Sequence, residues 1–237
     1  MRLDKFTSNA LQITRSEAKK LIQKGKIKVY KDFSLINKVT SEYNITIEKA
    51  FYNDLELIYK ENIYIMMNKP SGYVCSNFEK NNKTVFDLLQ GYKVNDLGVV
   101  GRLDIDTEGL VIITSDGDLI HKITSPKNNH YKKYYCECEN ELSDSDIKLF
   151  NDGIVINDDG EEYKCKSAKL EIIDKKKCYI EISEGKFHQI KKMMKAISNN
   201  VTYLKRISIK NIELDPNLKL GEYRELTSDE VNLLLND

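Results

Sequence analysis

Long apolar runs are missing from this chain of 237 residues. No stretch of 18 apolar residues occurs, which excludes a membrane-spanning helix. The opening Met1-Arg-Leu-Asp-Lys-Phe6 has no apolar core and does not read as a signal peptide. Histidine is scarce, at three residues, which limits metal and triad chemistry. The five cysteines, at 75, 136, 138, 165 and 178, form no Cys-x-x-Cys pair. An odd count without metal spacing fits free thiols in a reducing cytoplasm. There is no glycine-rich nucleotide loop, internal repeat or low-complexity segment. Net charge is lacking too, since 37 basic side chains balance 37 acidic ones. The total therefore argues neither for nor against a nucleic-acid partner. What is present is the composition of a soluble globular protein, 41% hydrophobic and 31% charged. The length suffices for one large domain or two smaller ones.

The charges are unevenly spread. Residues 1–31 hold nine Lys/Arg against two acids, and residues 186–210 hold seven and none. Residues 137–162 hold ten acids and one lysine. Two basic segments and one acidic segment predict a bipolar protein with one anion-facing side. A plainer alternative is that the lysines only keep the surface soluble.

One stretch organises the rest: Gly98-Val-Val-Gly-Arg-Leu-Asp-Ile-Asp-Thr-Glu-Gly-Leu-Val-Ile-Ile-Thr114. Arg102, Asp104, Asp106 and Glu108 lie between two apolar runs, and 110–113 is short and β-branched enough for a buried strand. Carboxylates beside a buried strand are costly unless something partners or uses them. An ion-paired loop is one reading. A calcium loop is another, but such a loop needs flanking helices and a Glu at its twelfth position. Counting from Asp104, that position is Ser115, and the flanks read as strands.

Ahead of this stretch, Leu3, Phe6 and Ala10 share one face of a short helix. Thr14-Arg-Ser-Glu17 reads as a capping box opening a second helix, with Ala18, Leu21 and Ile22 as its buried stripe and Gly25 as its stop. Arg15, Lys19, Lys20 and Lys24 take the face left free. Ile27 with Val29, and Ile45 with Ile47, alternate as short strands. A polar connection at 53–62 places a domain boundary near residue 60. Beyond it the spacing predicts strands at 63–67, 132–137, 155–156, 168–173 and 178–182. Helices are expected at 84–89, at 119–123 after Ser115-Asp-Gly-Asp118, and at 143–150 as an acidic, solvated element. After Gly185, the residues Phe187, Ile190 and Met194 fall on one helical face. Consecutive strands rather than strict βαβ alternation favour an α+β fold.

Gly101-Arg-Leu-Asp-x-Asp-Thr-x-Gly-Leu110 resembles the signature of the pseudouridine synthases, in particular the branch that modifies ribosomal RNA. Three further strings follow the family order. They are Asn68-Lys-Pro-x-Gly72, Lys132-x-Tyr134, and Glu184-Gly-Lys-x-x-Gln-Ile-Lys191. The tail Gly221-Glu-Tyr-Arg-Glu-Leu-Thr227 also looks like the small-subunit branch. Residues 1–60 resemble the small RNA-binding module of ribosomal small-subunit proteins and tyrosyl-tRNA synthetases, through Arg2-Leu-Asp-Lys-Phe6, Thr14-Arg-Ser-Glu-Ala18, Leu21-Ile22, Gly25 and Val29. Where that module has Asn-Gly after the valine, this chain has Tyr30-Lys31, so its hairpin turn is expected to be rebuilt.

The resemblance implies a fold, a reaction and a site. The fold is a small α/β module (1–60) followed by a catalytic domain (61–237), whose central, mainly antiparallel mixed sheet is flanked by helices. The reaction moves the ribose of a uridine from a ring nitrogen to a ring carbon. It needs no external atom and hence no cofactor or metal. Asp104 is the implied catalytic carboxylate, Lys191 its partner, and Tyr134 the ring against the uracil. Ile190 lines the uridine pocket. Arg102, His188 and Gln189 are placed at its mouth, and Asn68 and Lys69 precede the catalytic loop as substrate-binding candidates. Arg2, Arg15, Lys19, Lys20 and Lys24 are the expected RNA contacts. The partner would be ribosomal RNA or a pre-ribosomal particle, bound by a cytoplasmic monomer. Rival readings are a non-catalytic RNA-binding protein of ribosome assembly, and a metal-dependent transferase using Asp104 and Asp106.

Overall fold

A computed structural model describes residues 1–77, 79–125 and 128–236. The chain divides into two compact units, residues 1–62 with 90–95, and residues 63–89 with 96–237. A boundary near residue 60 would leave 90–95 in the second unit. The structure gives it to the first, because Lys93 Nζ donates to Ser8 Oγ at 2.6 Å and its backbone N–H reaches Gln12 Oε1.

The first unit carries helices α1 (Leu3–Ala10) and α2 (Arg15–Gln23). Strands β1 (Ile27–Lys31), β2 (Ser34–Leu35), β3 (Lys49–Tyr52) and β4 (Leu55–Glu56) form a sheet in the order β2-β1-β3-β4. The Thr14–Glu17 capping box opens α2 with both reciprocal hydrogen bonds, and Gly25 follows its end at φ +64°. Leu3, Ile22, Ile27, Val29, Ile45, Ala50 and Leu57 make the core. The hairpin turn is rebuilt on Asp32 and Phe33, both at positive φ, with Phe33 fully exposed at the tip. The strand expected at Ile45 and Ile47 starts instead at Lys49. Glu48 accepts from the backbone N–H groups of Thr46 and Ile47, which folds that segment into a turn and leaves Ile47 exposed.

The second unit opens with β5 (Tyr64–Lys69), β6 (Tyr73–Val74) and β7 (Lys83–Thr84). The helix expected at 84–89 is one tight 3-10 turn, Val85–Leu88. Then come β8 (Gly98–Val100), β9 (Glu108–Thr114), α3 (Gly117–Thr124), β10 (Lys132–Cys138) and α4 (Asp144–Asp152). The C-terminal part holds β11 (Val155–Asp158), β12 (Glu161–Lys164), β13 (Lys169–Asp174), β14 (Lys177–Ile182), α5 (Gln189–Ala196), β15 (Val201–Ile209), β16 (Ile212–Glu213), β17 (Tyr223–Glu225) and α6 (Ser228–Leu235).

Nine of these strands form one sheet, ordered β13-β14-β10-β15-β9-β5-β17, with β16 on β15 and β8 on β9. Every pairing in it is antiparallel except β15 with β9, so the α+β reading with a mainly antiparallel mixed sheet holds. Residues 109–114 of β9 are buried on both faces, as an unbroken apolar run in a central strand must be. Asp116 caps α3 through Leu119 N–H. Leu119 and Ile123 of α3 and Leu234 of α6 then pack on Met66, Val100, Leu110, Ile112, Ile209 and Ile212. The acidic α4 is not wholly solvated, because Phe150 anchors it in the interior.

Gly109 marks the parallel crossing. A Cβ there would stand 2.2 Å from the Arg206 carbonyl oxygen and 2.8 Å from its nitrogen, on backbone at φ +102°. Only glycine lets β15 come that close to β9. That approach sets Arg206 beneath the loop 101–107, which joins β8 to β9 and carries Asp104.

Candidate active site

The loop carrying Asp104 has no regular structure of its own, so its backbone carbonyls need partners from elsewhere. Two buried cations supply them. Lys69, at the end of β5, is fully buried, and its ammonium donates to the carbonyls of Pro70 (3.1 Å), Asp104 (3.1 Å), Ile105 (3.2 Å) and Thr107 (2.7 Å). Burial pushes its pKa below the usual lysine value. Arg206, 1% exposed, donates from Nε to Leu110 (2.8 Å), from Nη2 to Gly101 (2.9 Å) and more weakly from Nη1 to Arg102 (3.5 Å). One cation therefore grips the middle of the loop and the other its two ends. Gly72 N–H adds a bond to the Ile105 carbonyl.

Held this way, the Asp104 carboxylate points to the N-terminal end of α5. Lys191 Nζ lies 3.1 Å from Asp104 Oδ2 and 2.6 Å from Asp106 Oδ1, so one ammonium bridges both acids. Burial alone would depress the Lys191 pKa, but the bonds to Asp106 and Asp104 carry it above its ordinary value. Burial likewise opposes ionisation of Asp106, and the Lys191 bond outweighs it, holding that carboxyl low. His188 Nε2 stands 3.5 Å from Asp104 Oδ1. His188 enters α5 in the left-handed region at φ +53°, with the Phe187 ring stacked on its imidazole at 3.8 Å.

Asp104 sits in a cleft of about 580 Å³ whose walls include Arg102, Leu103, Tyr134, His188 and Arg206. A smaller recess beside it adds Ile190, Gln189 and Lys191. The structure thus brings together Asp104, Lys191, Tyr134, Ile190, His188 and Arg102 from three separated strings.

It does not bring in Asn68 and Lys69 as substrate contacts, and that reading is corrected. Lys69 is sealed and committed to the loop carbonyls. Asn68 is buried and donates to the Leu218 carbonyl at 2.7 Å. Gln189 borders the smaller recess, yet its polar atoms brace the turn before α5. It accepts from Lys186 N–H and donates to Glu184 at 2.7 Å. Phe187 is not on the buried face of α5 as its spacing suggested. The helix begins at Gln189, and Phe187 is 60% exposed. The ion between Asp104 and Asp106 is a lysine ammonium, which leaves that string unlike a calcium loop. Among the described residues, the group with metal-ligand spacing is Cys136, Cys138 and Cys178, buried and free of disulfides.

In the first unit, Arg2, Arg15 and Lys19 converge on the buried carboxylate of Asp4, at 3.1, 2.8 and 3.9 Å. Burial would raise the Asp4 pKa, but the bonds from Arg15 and Arg2 hold it below the usual carboxylate value. These cations therefore stabilise the module as well as face outward. Lys20 and Lys24 are exposed and make no ion pair among the described residues.

Known proteins resemble this chain along its length. Residues 63–196 match the family model described as RNA pseudouridylate synthase. The ribosomal small subunit pseudouridine synthase A of Haemophilus influenzae is 37% identical, over 99% of this chain and 100% of that protein. The protein of the same name from Vibrio cholerae is 38% identical over 98% of each. A crystal structure of a pseudouridylate synthase superposes with a TM-score of 0.70 at 36% identity, covering 99% of both chains. A pinned loop that presents an acid beside a lysine in an open cleft is thus found in a chain whose whole length follows these enzymes, and the chain belongs to the RNA pseudouridylate synthase family, isomerising uridine to pseudouridine in RNA.

Proposed function

We propose that the RNA is small-subunit ribosomal RNA and that Asp104 is the carboxylate at which one specific uridine isomerises. The observation that carries this reading is the Asp104–Lys191 pair at 3.1 Å, in a cleft also lined by Tyr134. Full-length likeness to proteins named as ribosomal small subunit pseudouridine synthases supports the choice of RNA.

The reaction breaks the bond between the ribose C1′ and uracil N1, turns the base, and joins C1′ to C5. Asp104 attacks the sugar or the ring, or stabilises charge on the sugar; a carboxylate serves each route. The base must leave its helix first, at a cost of a few kcal/mol, which favours loops and unpaired sites. Tyr134 and Ile190 would flank the extruded uracil, and Tyr134 is positioned for the final removal of the C5 proton. Arg102 and His188 would hold the nucleotide at the mouth. Lys191 keeps Asp104 oriented. Lys191→Met should lower kcat about a hundredfold or more, with Lys191→Arg recovering part of it, as single-turnover rates would show.

The first unit would supply sequence-independent phosphate contacts. Lys20→Ala with Lys24→Ala should weaken RNA binding by about tenfold and flatten its salt dependence without lowering the melting temperature. Arg15→Ala should instead destabilise the unit, because the buried Asp4 carboxylate loses its shortest ion pair. The chain would work as a cytoplasmic monomer on ribosomal RNA or a pre-ribosomal particle. Among the described residues no helix is long and apolar enough to cross a membrane. Mapping pseudouridines in ribosomal RNA from a strain lacking the protein tests the assignment. One small-subunit site should be lost, and an unchanged map would contradict it.

A further inference from the structure

One wall of the cleft holds two cations on adjacent strands. Lys132 opens β10, and Arg206 lies on β15 opposite Tyr134 in the register. Both line the cleft that contains Asp104. Neither makes an ion pair among the described residues. Lys132 Nζ donates to the His130 carbonyl at 2.9 Å, and the Arg206 N–H groups with partners face carbonyls. Glu184 faces Lys132, but its carboxylate is taken by Tyr163 Oη, Gln189 Nε2 and Lys166 N–H. Burial, then the charge on Arg206, pushes the Lys132 pKa down to about 8.

Two like charges in a partly dehydrated wall repel, and an anion seated against them relieves the cost. Among the described residues no carboxylate lies in an ion pair with either cation, Glu184 being engaged elsewhere. Lys132 and Tyr134 are two apart on one strand and so share a face, about 7 Å apart along it. One nucleotide can span that distance between its base and its phosphate. We propose that Lys132 contacts the phosphodiester flanking the everted uridine, with Arg206 reinforcing the charge from behind. The nucleotide is then gripped at two points, its base at Tyr134 and its phosphate at Lys132. This inference rests on the cleft being the uridine site, as proposed above.

The test pairs a change in the protein with a change in the RNA. Synthetic RNA carrying the mapped uridine is made with one neutral methylphosphonate on its 5′ or its 3′ side. Wild type and Lys132→Met are assayed on each, with Lys132→Gln as a second neutral variant and Lys132→Arg as the conservative one. On ordinary RNA, Lys132→Met should lose about tenfold in kcat/KM, mostly through KM, and Lys132→Arg should keep most activity. One neutral linkage should cost wild type a similar factor and cost Lys132→Met or Lys132→Gln less than about twofold further, because the same contact is already gone. Losses that multiply, or a wild type indifferent to both neutral linkages, would overturn the proposal. Wild-type turnover on ordinary RNA, abolished in Asp104→Asn, reads the assignment of the cleft separately, so that assignment can stand if the phosphate subsite fails.

Discussion

Asp104→Asn should lower turnover about ten-thousandfold or more while RNA affinity stays within about threefold. The substitution keeps the size and planarity of the side chain and removes its charge and nucleophilicity. The loop should survive it, because Lys69 and Arg206 grip backbone carbonyls rather than the Asp104 carboxylate. Lys191 would keep its shorter bond to Asp106 at 2.6 Å, so α5 stays anchored. Loss of activity would therefore report on chemistry and not on folding. Single-turnover kinetics, a filter-binding titration and a melting curve on one preparation separate the three. A variant that also loses RNA binding or stability would show that Asp104 holds the cleft together instead.

Lys69→Met should give the largest loss of stability, about 3 kcal/mol, seen as a melting temperature lower by about 10 °C. Methionine has similar length and removes the cost of burying a charge. It also leaves four carbonyl oxygens without the donor that Lys69 provides, in a loop with few other internal bonds. The Asp104 and Ile105 carbonyls keep bonds from Thr107 N–H and Gly72 N–H, but those of Pro70 and Thr107 lose the Lys69 donor, and each carbonyl left unsatisfied costs about 1–3 kcal/mol, so the loss outweighs the gain. Activity of the folded fraction should fall as well, since the Asp104 backbone is one of the groups released. Lys69→Arg should not rescue, because a fully buried position has no room for the larger fork. Denaturant unfolding and kcat measured together test this. Unchanged stability would mean that water or a rearranged loop satisfies those carbonyls.

Much of this site was legible because it lies in ordered strings of unusual residues. Asp104, Tyr134 and Lys191 were found by motif, and the apolar run at 110–113 announced a buried central strand. The capping box at Thr14 marks the start of α2 to the residue, because its chemistry is local, whereas α3, expected from Leu119, begins at Gly117 behind its Asp116 cap. What stayed hidden is what only tertiary placement decides. Lys69 reads as a substrate contact only from the place of its string ahead of the catalytic loop; nothing local says that its ammonium is enclosed by four carbonyls. Asp106 was readable as an acid but not as the second ligand of Lys191. β15 was overlooked outright, although Val201, Tyr203 and Ile207 sit at the alternate, β-prone positions of a strand. With it went Arg206, whose position depends on the parallel crossing that Gly109 permits. Phe187 was misplaced because helical spacing was extended two residues before the helix begins, across the left-handed His188.

The most direct measurement is tritium release from small-subunit ribosomal RNA labelled at uridine carbon 5, with wild type and Asp104→Asn side by side. Wild type should release about one tritium per RNA and the variant essentially none, since proton loss at that carbon follows only a completed isomerisation. Release by the variant at the wild-type rate, or no release by wild type, would contradict the account.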